Sequence, residues 1–368
     1  MIITTEPKAF GATHNPFRQG FSSGGSSGGS AVAVASGIVP MAGGGDGGGS
    51  IRFPASWCGV FGLKPSKGRT PLTSILGEDW NGAVANHVIT RSVRDSALML
   101  DAIAGAEIGS PYIVTKPATS FYNASLIPPK SLKISLLKKP FVANTVVDKE
   151  VMATLEQTAK RLESMGHTII EIEPPFDTHR LSRDFLYVVA SHTAHFIAHL
   201  SQQYGKNQTS NLEPQTDNLA MLGRSLSAID LLNAKQGWQT VIYQTDKLLQ
   251  QVDVLLTPTV PTPAVALELL PPKSMDEQMM KLVNPFKIGK VLIKSGLVEK
   301  LSYPVQSKMA FTMLANITGM PAMSLPLGMS KEGLPIGMQI MARLNEETTL
   351  YSLAGEIERV GCFTKPAF

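Results

Sequence analysis

The chain has 368 residues, 43% of them apolar, which is enough to bury a large core as one big domain or two lobes. Its net charge is only +4, and the 17% of charged residues form no basic block, so a nucleic-acid partner is not indicated. The two cysteines, Cys58 and Cys362, are too few for a disulfide framework and lack metal-ligand spacing, and no apolar run reaches the roughly 18 residues of a membrane span.

In chain order, the first predicted element is a helix of small residues over Ser30–Val39. A second helix runs over Ser92–Ala104, with Ser92 as its N-cap and Val93, Ala97, Leu98, Leu100 and Ile103 at helical spacing. Leu132–Leu137 reads as a strand, Asp148–Met165 as an amphipathic helix closed by Gly166, and Thr168–Ile172 as the next strand, which together form a β-α-β unit. Further strands are expected at Val252–Thr257, Ala322–Leu327 and Gly337–Met341, and a last helix at Glu346–Val360. This alternation argues for an α/β fold whose mixed, largely parallel central sheet is covered by helices on both faces. There are no internal repeats.

Half of the 32 glycines fall before Leu72, in two clusters rich in serine: Gly24-Gly25-Ser26-Ser27-Gly28-Gly29-Ser30 and Asp46-Gly47-Gly48-Gly49-Ser50-Ile51-Arg52. Such runs are often flexible linkers, but these enclose Ala31 to Ala35 and lead into an apolar segment from Ile51 to Gly62. Gly43-x-Gly45-x-x-Gly48 matches a dinucleotide fingerprint by letter, without the strand, helix and acidic residue that would make it one. Gly25-x-Ser27-x-Gly29 fits the nucleophile elbow of an α/β-hydrolase, a reading that requires an acid and then a histidine downstream. A serine at the end of a glycine run faces bare amides, which suits attack on a carbonyl and stabilisation of the resulting oxyanion.

The segment from Thr13 to Thr70 resembles the signature region of the amidase signature family. Asn15-Pro16, the two clusters, Phe53-Pro54-Ala55 and Gly59-x-x-Gly62-Leu63-Lys64-Pro65 carry the resemblance, with both serines at the family's separation. Asp253 to Thr259, Asn316 to Ala322 and Gly333 to Gln339 agree with it. The likeness is weakest from about Thr178 to Gln251. Within the family, Asp46-Gly47-Gly48-Gly49-Ser50, with glycine where many relatives have a larger residue, resembles most the branch of 6-aminohexanoate cyclic-dimer hydrolases, and Gly223 to Ser227 and Thr312 to Leu327 point the same way. The resemblance implies one amidase domain over 1–368, with a signature core at 1–110, a variable substrate-side region at 178–251 and C-terminal strands and helix at 252–368. It implies hydrolysis of a linear or cyclic small-molecule amide through a seryl acyl-enzyme, without cofactor or metal, in the cytoplasm; a homodimer is left open. Ser50 would be the nucleophile. Ser26 would bridge it to a lysine, entered by a cis peptide bond and within hydrogen-bond reach of Ser50. The amides of Gly47, Gly48, Gly49 and Ser50 would form the oxyanion hole, and Ser27, Asp46 and Arg52 would orient the two loops.

The family's lysine base lies upstream of the bridging serine in a Lys-Asp context, and only Lys8 precedes Ser26 here, in a different context. Lys64 and Lys67 follow the nucleophile and read as structural. The expectation is therefore an amidase lacking its N-terminal part and its catalytic lysine, with impaired activity; a non-catalytic remnant is the competing reading. Three further groups draw notice. His192, His195 and His199 share a helix face, where a metal is less expected than a plain cleft or solvent face. Met275, Met279, Met280, Met309, Met313 and Met320 read as core filling, with a substrate wall as the sharper alternative. Glu78, Asp79, Trp80 and Asn81 read as a surface turn or part of a substrate mouth.

Overall fold

The structure, a computed structural model, describes residues 3–72, 77–205, 212–269 and 297–364. Met275, Met279 and Met280 lie outside them. A short hairpin, β1 (His14–Asn15) and β2 (Arg18–Ser22), precedes the central sheet. That sheet has eight strands: β3 (Met41–Asp46), β4 (Phe61–Lys64), β5 (Ala85–Thr90), β6 (Lys133–Leu136), β7 (Thr168–Glu171), β8 (Val254–Pro258), β9 (Ala322–Met329) and β10 (Pro335–Ala342). Their spatial order is β3-β5-β4-β9-β10-β8-β6-β7.

The helices are α1 (Gly28–Ala35), α2 (Arg52–Trp57), α3 (Val93–Ile103), α4 (Phe121–Leu126), α5 (Lys149–Ser164), α6 (Thr178–Tyr204), α7 (Pro214–Ser225), α8 (Ala228–Leu249), α9 (Leu297–Gln306), α10 (Met313–Thr318) and α11 (Glu347–Arg359). Their starts follow from local chemistry. The Ser92 hydroxyl accepts the Asp95 N–H at the head of α3, and Asp148 accepts the Glu150 N–H at the head of α5. Gly166, at φ +96°, lets the chain leave α5 and turn into β7.

The sheet is mixed, as expected, but its parallel share is smaller than the alternation suggested. Only β6–β7 and β6–β8 run parallel; the other pairings are antiparallel. Two causes account for this correction. The tight turn at Ser330–Gly333 makes β9 and β10 a hairpin. The glycine-rich run Met41–Asp46, with no strand-like alternation, nevertheless supplies β3, which pairs antiparallel with β5, as β5 does with β4, at one edge.

Strand periodicity sorts side chains between two cores. Met338, Ile340 and Ala342 of β10 pack with α3, α5 and α11, while Met341 joins the other face with α6, α8 and α10. Gln339 alternates with Met338 and Ile340, so it is directed to that second face, and there it meets Arg52.

Candidate active site

Asp46 ends β3 and Arg52 begins α2, so residues 47–51 form the turn between them. Asp46 organises this turn from inside. Its Oδ1 accepts the Gly49 N–H at 2.7 Å, and its Oδ2 accepts the Ile51 N–H at 3.2 Å. Arg52 grips the same carboxylate with both sides of its fork, Nε to Oδ2 and Nη2 to Oδ1, each at 2.9 Å. Its remaining N–H groups donate to Thr312 O at 2.9 Å, Gln339 Oε1 at 2.6 Å and Asn316 Oδ1 at 2.7 Å. All five guanidinium N–H groups are thereby engaged, which a lysine ammonium could not reproduce. Asn316 Nδ2 closes the cage on Asp46 O and Oδ1, both at 2.9 Å, and on Ala83 O at 3.0 Å.

Asp46 and Arg52 are both 0% exposed. Burial by itself would raise the Asp46 pKa, but the Arg52 charge and the hydrogen bonds from Arg52 and Asn316 outweigh it and lower it to about 2. Lys64, also buried, is pushed down to about 7 by desolvation and by Arg52, and its Nζ donates to Pro65 O at 2.7 Å.

Each glycine of the turn is covered by a different side chain. A Cβ at Gly47 would stand 2.7 Å from Trp80 Cζ3, and one at Gly48 would stand 3.0 Å from Met309 Sδ and 3.1 Å from Phe185 Cζ. Gly49 has φ +126°, and a Cβ there would be 2.4 Å from Thr312 Oγ1. The Thr312 hydroxyl donates to Gly48 O at 2.7 Å, so the peptide between Gly48 and Gly49 is held at its oxygen by Thr312 and at its nitrogen by Asp46. This corrects one of the four expected oxyanion donors: the Gly49 amide is turned inward to Asp46. The amides of Gly47, Gly48 and Ser50 donate to no protein group among the described residues.

The Ser26 loop lies beside this turn. The Gly25–Ser26 bond is cis, as the resemblance implied. Ser27 N–H donates to Ser50 O at 3.2 Å, and the hydroxyls of Ser27 and Ser30 donate to Gly45 O at 3.4 Å and Gly43 O at 2.7 Å. These bonds bring the two glycine clusters together. The Ser26 side chain is exposed and Ser50 is half-buried, but no hydrogen bond links their hydroxyls among the described residues. That expected contact is not made. No lysine of the described residues bonds to either serine. Lys8 is tied through its backbone N–H to Glu213, and Lys67 lies over the Tyr112 ring at 5.0 Å.

The remaining candidates separate. His192, half-buried on α6, faces Asp79 at 3.7 Å, and no group of three or more potential metal ligands occurs among the described residues. Met309, Met313 and Met320 are core residues, and Met309 also reaches Gly48. Ser27 has no histidine partner among the described residues; His167 pairs with Glu356 instead, so the elbow constellation is not assembled.

Sequence reasoning placed Asn316 and Gln339 in matching segments without a role, and gave Thr312 none. Their signal was polarity in apolar surroundings: Asn316 sits in Met313-Leu314-Ala315-Asn316-Ile317, and Gln339 in Ile336-Gly337-Met338-Gln339-Ile340.

The site is a serine-bearing glycine turn caged by a buried ion pair, on a mixed sheet between helical layers. The family model described as Amidase matches residues 1–351, and the chain belongs to that family. It is 32% identical to the 6-aminohexanoate-cyclic-dimer hydrolase of Pseudomonas sp. (strain NK87), over 97% of this chain and 70% of that protein. The protein of the same name from Paenarthrobacter ureafaciens matches at 32% over the same shares, 97% and 70%. Among solved structures, 6-aminohexanoate cyclic dimer hydrolase complexed with substrate superposes with a TM-score of 0.85 at 29% identity, covering 100% of this chain and 73% of that one. A bacterial aryl acylamidase of the amidase signature family gives 0.81 at 25% identity, covering 100% and 71%. No helix among the described residues is long and apolar enough to cross a membrane.

Proposed function

We propose that this protein hydrolyses a carbon–nitrogen amide bond of a small molecule, with Ser50 as the nucleophile. The observation that carries the reading is the caged turn: three unpartnered amides beside a half-buried serine, held by charges that cannot relax. In this mechanism Ser26 turns to Ser50: the Ser50 Oγ attacks the amide carbonyl carbon as its proton passes to the Ser26 hydroxyl, which gives its own proton to the amide nitrogen. The carbonyl oxygen, now an anion, settles between the amides of Gly47, Gly48 and Ser50. Collapse expels the neutral amine and leaves an acyl group on Ser50; water then releases the acid. Because the donors and dipoles are fixed before reaction, little reorganisation accompanies charge development. Loss of one such donor elsewhere costs about a hundredfold or more in turnover.

The weak point is the base. Serine is a poor nucleophile at neutral pH, and no described lysine is bonded to Ser26, so turnover by the 368-residue chain is expected to be low. In other serine hydrolases, binding and the oxyanion hole alone leave an acceleration of about 10³–10⁴ over water. The reading is tested with a serine-reactive fluorophosphonate and a small aryl amide. The adduct should map to Ser50, Ser50→Ala should abolish both labelling and hydrolysis, and Ser27→Ala should only weaken them. An adduct on Ser27 with Ser50→Ala still active would transfer the case to an elbow serine. Labelling of Ser50 without any turnover would favour a protein that binds amides but no longer cleaves them.

A further inference from the structure

Between β4 and β5, Glu78-Asp79-Trp80-Asn81 turns left-handed at two consecutive non-glycine residues, with φ +46° at Trp80 and +57° at Asn81. A bulky residue takes that conformation only where its surroundings enforce it, and such positions gather at functional sites. Here the enforcement is visible. Trp80 N–H donates to Asp79 Oδ1 at 2.8 Å, Ala83 N–H donates to Trp80 O at 3.2 Å, and Ala83 O accepts from Asn316 Nδ2 at 3.0 Å. Asn316 also holds Asp46, so one clamp serves both this loop and the Ser50 turn.

The loop delivers the indole onto bare backbone. A Cβ at Gly47 would lie 2.7 Å from Trp80 Cζ3 and 2.8 Å from Cε3, so any larger residue at 47 would displace the ring. Trp80 packs on the core from one side and is half-buried, whereas Trp57 and Trp238 are each only 1% exposed. The Ser26 loop joins the turn at its other end, through the Ser27 N–H to Ser50 O bond. With Ser26 relaying the proton as proposed, the leaving nitrogen is served from that end, which leaves the Gly47 end to the acyl group.

Resting on the reading of Ser50 as nucleophile, we propose that Trp80 is a specificity-determining residue. Its half-buried indole, seated on Gly47, is the wall against which an apolar acyl group packs. The substrate class is then amides with an aryl or extended methylene acyl part, rather than short acyl amides. The test compares two fluorophosphonates on the full 368-residue chain, one with a methyl and one with an aryl or long alkyl substituent on phosphorus, where the acyl group would lie. Wild type should label at Ser50 at least about tenfold faster with the larger probe. Trp80→Ala should slow the larger probe far more than the methyl probe, erasing most of that preference, and Trp80→Phe should restore most of it. The methyl probe reports that the variant is folded and its nucleophile intact. The larger adduct should also shield Trp80 from acrylamide quenching. An unchanged probe ratio in Trp80→Ala, or unchanged quenching, overturns the wall while Ser50 stands; failure of both probes to label Ser50 in wild type overturns the nucleophile and the wall with it.

Discussion

The two serine loops touch, yet they are held by different physics. The Ser50 turn is fixed by ionic and amide groups drawn from the far end of the chain: Arg52 bonds to Asn316 and Gln339, and Thr312 bonds to Gly48. The Ser26 loop rests on near neighbours through small uncharged contacts. Thr5 Oγ1 donates to Gly24 O at 2.8 Å, Gly24 N–H donates to Ser22 Oγ at 3.2 Å, and a Cβ at Gly25 would be 2.6 Å from Thr4 O. One loop is buried around a carboxylate; the other ends in an exposed serine. A stiff turn around Ser50 can therefore coexist with a Ser26 loop whose order depends on modest interactions.

The largest expected effect breaks the stiff side. Arg52→Ala would strand Asp46 as an uncompensated buried charge, a class of change that costs about 3–5 kcal/mol. Denaturant unfolding should show a loss of that size, and fluorophosphonate labelling of Ser50 should collapse with it. Arg52→Lys should recover only part, since it cannot replace the five-donor fork. A near-normal midpoint for Arg52→Ala would mean that the cage is not what holds the turn.

Acid should reach the same pair more gently. The folded pKa of Asp46 lies near 2 against an ordinary 3.8, so the ionised carboxylate stabilises the fold above pH 3.8, and that contribution drains away as pH falls toward 2. Its size is on the order of 2 kcal/mol. Lys64 has the same sense over a different window: depressed to about 7 from 10.5, it makes the fold more stable as pH rises through that interval and flat below it. Unfolding free energies measured from pH 5 down to 2.5 should fall steeply. A flat profile there would deny the cage its electrostatic character.

Much of this architecture was legible beforehand. Capped helices such as that starting after Ser92, and the β-α-β unit through Asp148 and Gly166, announce themselves by local chemistry. The glycine clusters located both serines and the residues around them. What stayed hidden was long-range. Nothing local to Thr312 says that its hydroxyl will hold the Gly48 carbonyl, 264 residues away in sequence. The inward turn of the Gly49 amide depends on where the Asp46 side chain points, which spacing alone does not decide. In the antiparallel edge β3-β5-β4, the glycines of β3 lack the apolar alternation by which strands are read, β4 is only four residues long, and Asn86 and His87 break the alternation of β5.

Next in size comes the clamp shared by the Ser50 turn and the Trp80 loop. Asn316→Ala leaves one of the two Arg52 Nη2 N–H groups and Ala83 O without their partner in a dry site, which should cost about 1–3 kcal/mol and slow Ser50 labelling about tenfold or more. Slow labelling with unchanged stability would show that Asn316 tunes the turn without supporting it.

The smallest effect belongs to the Ser26 side. Thr5→Val deletes a single hydroxyl bond to Gly24 O while keeping the side chain's shape, so stability should drop by only about 1 kcal/mol. The Ser50 turn shares no side-chain bond with Thr5, so probe labelling of Ser50 should stay within about twofold of wild type; couplings between sites without shared partners are usually small. Hydrolysis should suffer more than labelling, because a fluorophosphonate demands less of the proton relay than an amide does. Measuring both rates on one preparation makes the contrast internal. Parallel loss of labelling and hydrolysis would show that the two loops move as one body, and the division between a stiff turn and a lightly held relay would have to be abandoned.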